Sequence, residues 1–186
     1  TLRSDDDNDI TEPEGDDGDV GPAGVGNGDL ADAVNFYWWA DDGDNVFETC
    51  SDGTLVENCK SESLLPTGPL GNLAVGQTAT VDLADWNTNI WGDTGALPGD
   101  SVRFLAKAWC FGNATMNPYE QDGGNQQSGP DDRPVTCNGS GENNKTQTDS
   151  MTADISFRAV QSRNNEQFEC NAPSQSSSSS SSSSQP

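Results

Sequence analysis

The chain contains no histidine at all. This single absence removes the Ser-His-Asp triad, the Cys-His pair and the H-E-x-x-H zinc site together. Cations are also scarce, with 8 Lys and Arg against 31 Asp and Glu and a formal net charge of -23. A phosphate-binding surface needs clustered cations, so nucleic acid is excluded as a partner. Apolar residues make up only 31% of the chain, and no run of them is long enough for a transmembrane helix. No C-x-x-C pair is present, which leaves only scattered thiolates for zinc. Carboxylate pairs could still serve glycoside hydrolysis, but among 31 acids a neighbouring pair carries almost no information. The reading is therefore non-enzymatic.

What is present points to an exported protein. The five cysteines, Cys50, Cys59, Cys110, Cys137 and Cys170, sit in a chain rich in Gly, Asn, Ser and Thr. Disulfides in an oxidising compartment account for them, and Cys50 and Cys59 flank a turn-rich loop that a disulfide would close. The odd number leaves one thiol to pair elsewhere. Sequons at Asn113, Asn138 and Asn144 suit an exported, loop-rich surface, although an Asn-rich chain also produces them by chance. The 186 residues suffice for one domain, taken as 1–173, followed by a flexible Ser-rich tail at 174–186 with nine consecutive serines. The start at Thr1 reads as a processed product whose export signal lies outside the sequence.

The apolar residues fall into short period-two runs, the signature of strands. In Ala33–Trp39, Val34, Phe36 and Trp38 are expected to share the inward face. Further strands are expected at Thr78–Leu83, at Val102–Phe111 and at Ser150–Ser162. The third places Val102, Phe104, Ala106, Ala108 and Cys110 on one side, and the fourth Met151, Ala153, Ile155, Phe157 and Ala159. Leu64–Leu73 has room for a helical turn. Gly, Pro and Asn clusters separate the runs, so the fold class is all-β, an antiparallel sandwich with long acidic and Gly-rich loops.

The acids are clustered, and the chemistry that suits them is calcium, which prefers carboxylate and carbonyl oxygens. Adaptation to high salt explains the same composition. Asp5, Asp7 and Asp9 have the spacing of a D-x-D-x-D loop, but Ile10 stands where an EF-hand requires Gly. The second candidate is Asp41, Asp42 and Asp44 with Glu48, in a tight turn that is either a cation cage or a solvated Asp/Gly turn. Trp86 and Trp91 lie in the loop DWNTNIWGDTG. They either pack or serve as contacts for surface glycans or a neighbouring subunit.

Three phrases, GDLADAVNFYWWADDGDNVFE, LPGDSVRFLAKAWCFG and MTADISFRAVQSRNNEQFEC, together with the opening SDDDNDITEPEGD, resemble the TasA/camelysin family of exported surface proteins. The resemblance spans residues 2 to 170, and Arg158–Asn165 is its most specific piece. It implies a jelly-roll-like sandwich and a subunit of an extracellular fibre, pilus or biofilm matrix. Copies would assemble by donor-strand exchange, a form of β-augmentation. It also implies calcium, for which Asp41, Asp42 and Asp44 would serve. Further strands, one bearing a cysteine, are expected ahead of the TLRSDDDND segment. The metallopeptidase label carried by the camelysin name finds no motif here. The alternative is a monomeric cell-surface adhesin that binds carbohydrate through Trp86 and Trp91.

Overall fold

The computed structural model describes residues 2–10, 12–50, 60–74, 76–121 and 134–170. The chain is built mostly of strands in small, chiefly antiparallel sheets, with little helix. In chain order these are β1 (Leu2–Asp7), α1 (Glu12–Asp16), β2 (Gly24–Val25), α2 (Leu30–Ala33), β3 (Val34–Asp41), β4 (Glu48–Thr49) and β5 (Gly68–Pro69). There follow a 3-10 turn at Leu70–Asn72, β6 (Phe104–Phe111), β7 (Asn113–Met116), β8 (Tyr119–Glu120), β9 (Val135–Asn138), a second 3-10 turn at Asn144–Thr146 and β10 (Ser150–Ala153). One sheet has the order β10-β1-β2 and another β5-β3-β6, while β4 pairs with β8 in parallel and β7 with β9 antiparallel.

The centre is the eight-residue antiparallel ladder of β3 and β6, from Val34 opposite Phe111 to Asp41 opposite Phe104. Both strands are rich in aromatic residues, which suit a pleated, half-buried surface. Register decides which face is core. Trp39 lies opposite Ala106 and Tyr37 opposite Ala108, so each large ring is received by a small residue. Trp39 is fully buried and meets Phe47 edge-on at 6.0 Å between ring centroids. Ala106 completes this cluster, and Tyr37, Ala108 and Met116 pack against it.

The expected inward set is thus met at Val34, which is buried, and corrected at Phe36 and Trp38, which are half-buried. Trp39 is the core tryptophan, whereas Trp38 is only half-buried and carries the Lys107 ammonium 5.5 Å from its ring centroid. A run with aromatics on both faces does not reveal by alternation which face the next layer will cover. In the expected Val102–Phe111 strand, of which β6 forms only Phe104–Phe111, Ala106 and Cys110 are buried as expected, whereas Val102 ahead of β6 and Phe104 on it are exposed.

Two expected strands are also revised. Thr78–Leu83 forms no ladder; the nearest pairing is an isolated bridge between Ala84 and Asn89. The strand expected over Ser150–Ser162 pairs only as far as Ala153, and Ile155, Phe157 and Val160 stand exposed. The helical turn foreseen in Leu64–Leu73 is the 3-10 turn at Leu70–Asn72.

Beyond the ladders, side-chain bonds to backbone hold the loops. The Asp85 carboxylate accepts N–H groups of Asn87 and Thr88 and, from far along the chain, of Cys170. Burial alone would push this acid up, but the three donors together hold it below its ordinary range. Cys110 on β6 is joined to Cys137 on β9, with 5.5 Å between their Cα atoms. Cys50 is also a disulfide cysteine, and Cys59 lies outside the described residues. Cys170 has a free thiol, so it is the unpaired member of the odd set.

Candidate metal centre

The turn after β3 assembles the candidate site. Asp41 closes the strand, and its carboxylate accepts the Trp39 indole N–H at 3.1 Å, the Gly43 N–H at 2.9 Å and the Asn45 N–H at 3.1 Å. With both oxygens accepting hydrogen bonds, Asp41 organises the turn. Gly43 has φ +130° with the Phe104 ring packed over it, so a side chain there would meet both strain and crowding.

This turn brings together carboxylate oxygens of Asp42, Asp44 and Glu48, all within 4.8 Å of one another. Asp42 is exposed, Asp44 half-buried and Glu48 fully buried. One Asp44 oxygen accepts the Val46 N–H at 2.8 Å, while Oδ2 is buried without a hydrogen-bond partner. Three carboxylates reaching one point from outside, rim and interior make a hard-oxygen, strongly negative cradle. Calcium takes about 6–8 oxygens and readily adds backbone carbonyls and water to such a set.

Glu62 stands behind this group. Its two oxygens accept the Asp42 and Glu48 N–H groups, each at 2.9 Å. Burial, with the nearby charges of Asp41 and Asp42, pushes its carboxyl up to about 8 against the pull of those two donors. Nothing in the sequence marks Glu62 as part of the site. It arrives because the backbone N–H of Glu62 donates to Glu48 O at 3.0 Å, a long-range contact.

The N-terminal acids behave differently from a calcium loop. Asp5 and Asp7 belong to β1, paired with β10 and β2, whereas Asp9 is exposed beyond the strand. The N–H of Asp9 donates to Asp7 Oδ1 and its carbonyl accepts the Thr148 hydroxyl. Asp5 and Asp7 thus lie on a strand, in keeping with a period of two, and Asp9 lies just past its end.

Both loop tryptophans are tied internally. The Trp86 indole N–H donates to Glu169 Oε1 at 2.9 Å although the ring is largely exposed. Trp91 is half-buried and donates to the Phe104 carbonyl at 2.8 Å. The sequon residues Asn113, Asn138 and Asn144 are all exposed, and the first two face each other across the β7–β9 ladder. No helix among the described residues is long and apolar enough to cross a membrane.

No protein-family model, curated protein or solved structure matches the chain.

Proposed function

We propose that the chain is a structural subunit of an extracellular fibre or surface matrix, joining copies of itself by β-strand addition with calcium as a structural ion. The observation that carries this reading is the edge of β6. This eight-residue strand is hydrogen-bonded to β3 on one side, and among the described residues no other strand is hydrogen-bonded to it, although β9 is joined to its end through Cys110–Cys137. Phe104 and Trp109 on it are 48% and 63% exposed. A long strand without a second ladder partner is a template for a strand from another chain, and the single charge on β6, Lys107, is turned over the Trp38 ring. The chain also offers a strand-like segment without a sheet. Ile155 and Phe157 continue the alternation of β10 at 59% and 70% exposure. The Cys110–Cys137 disulfide suits an extracellular setting, and the Asp42–Asp44–Glu48 cradle suits calcium. The resemblance to the TasA/camelysin family, with its jelly-roll sandwich, belongs to the same reading.

The test is assembly of the purified chain with and without calcium, followed by sedimentation and SDS-resistant multimers. Trp109→Lys places a charge on the open edge and is expected to abolish multimers while leaving the monomer's circular dichroism unchanged. A wild-type chain that stays monomeric at high concentration under both conditions refutes the reading.

A further inference from the structure

We propose a second divalent-cation site, of the calcium class, between β1 and β10, with the carboxylates of Asp5, Asp7 and Asp149 as its protein ligands. The β1–β10 ladder pairs Asp5 with Met151 and Asp6 with Ser150, and Asp149 directly precedes β10, so it lies at the end of that strand beside the Asp7 end of β1. Asp5 and Asp7 are two residues apart on a strand and share that face. Three like charges are thereby gathered at one corner of the sheet, an arrangement that is destabilising when the charges are left uncompensated.

The burial of these groups separates this corner from an ordinary acidic surface. Asp7 is only 2% exposed; its Oδ1 accepts the Asp9 N–H, and its Oδ2 has neither a hydrogen-bond partner nor contact with solvent. Asp5 Oδ1 and Asp149 Oδ1 are buried and unpartnered in the same way. Asp149 is held from its other oxygen, which accepts the N–H groups of Asp29 at 2.6 Å and Leu30 at 3.1 Å. The loop before α2 closes over Asp5, since a Cβ at Gly28 would lie 2.7 Å from Asp5 Oδ1. A buried carboxylate oxygen without a donor needs a proton or a cation.

The surroundings favour a cation. Asp149, Asp32, Asp29 and Asp6 all act on Asp5, and Asp19 and Glu14 on Asp7; the ammonium of Lys145 acts on Asp29. The three carboxylates do not close to within 4.8 Å as Asp42, Asp44 and Glu48 do. A bound ion would draw them in and complete its shell with carbonyls and water, as calcium's flexible coordination allows. It would rivet the N-terminal strand to a strand some 140 residues later, whether or not copies assemble.

The experiment is calcium titration calorimetry on the chelated full chain and on Asp7→Asn, Asp149→Asn and Asp44→Asn, with thermal melts in chelator and in calcium. Asn keeps the acceptor oxygen that Asp9, Asp29 or Leu30 uses. The wild type is expected to bind at two sites. Asp7→Asn and Asp149→Asn should each weaken one site by roughly tenfold or more and spare the other. Asp44→Asn should do the reverse. Asp7→Asn should also melt higher than wild type in chelator, because a like charge is gone. If Asp7→Asn fails to fold, Asp149→Asn decides. Wild-type stoichiometry and affinity in the folded variants overturn the site. A monomeric wild type that binds two ions refutes only the fibre reading, and multimers of a chain whose binding ignores Asp7 and Asp149 refute only this one.

Discussion

Removing the Cys110–Cys137 disulfide tests how the two halves of the central region are held together. The bond links β6 to β9 across 27 residues of sequence. Treating it as loop closure in the unfolded chain gives a loss of about 3.5 kcal/mol at 25 °C. The double substitution Cys110→Ala, Cys137→Ala is the right perturbation. Cys110 is 1% exposed, so a serine would bury a hydroxyl, and a single substitution would leave a thiol free to exchange with Cys170. Urea unfolding followed by tryptophan fluorescence reads the loss through Trp39. For an m-value of about 2 kcal/mol/M, the midpoint should fall by roughly 1.5–2 M. A thermal melt should drop by about 10 °C. A loss below about 1 kcal/mol at unchanged m-value would refute the reasoning, because it would mean that the β7–β9 pair stays docked on β6 through packing alone.

Two further outcomes follow from the same packing and charge. Trp39→Ala should cost roughly 3–5 kcal/mol in urea unfolding, since it empties the centre of the core against Phe47 and Ala106; Trp38→Ala should cost far less. In chelator the chain should be more stable at pH 5 than at pH 7. Asp5 holds its proton to about 6 when folded against an ordinary 3.8, so its contribution is present below 3.8 and lost as pH rises through 6. That gap sets a ceiling of about 3 kcal/mol, which solvent screening trims to roughly 1–2, and melts across pH 4–8 measure it.

Much of the site was legible because it is local. The run Asp41–Glu48 follows an aromatic strand and carries acids with Gly and Asn, so a carboxylate-rich turn follows from those residues alone. The division of labour within the turn was not legible. Asp41 accepts the Trp39, Gly43 and Asn45 donors, while Asp42, Asp44 and Glu48 face one another. Equivalent letters acquire different roles only when donors arrive from the fold. Glu62 and Asp149 could not be found from sequence, because each joins its partners through contacts between segments far apart along the chain.

Composition and period two by themselves determined the strand-rich class, the acidic surface, and the strands centred on Ala33–Trp39 and Val102–Phe111, since these depend on residues within a few positions of each other. The tertiary structure alone decided that Trp39 and not Trp38 is core, that Thr78–Leu83 stays out of any ladder, and that β1 lies beside β10. A strand's two faces are equivalent until another layer covers one of them, and a carboxylate's role is open until its neighbours supply donors, repulsion or an ion.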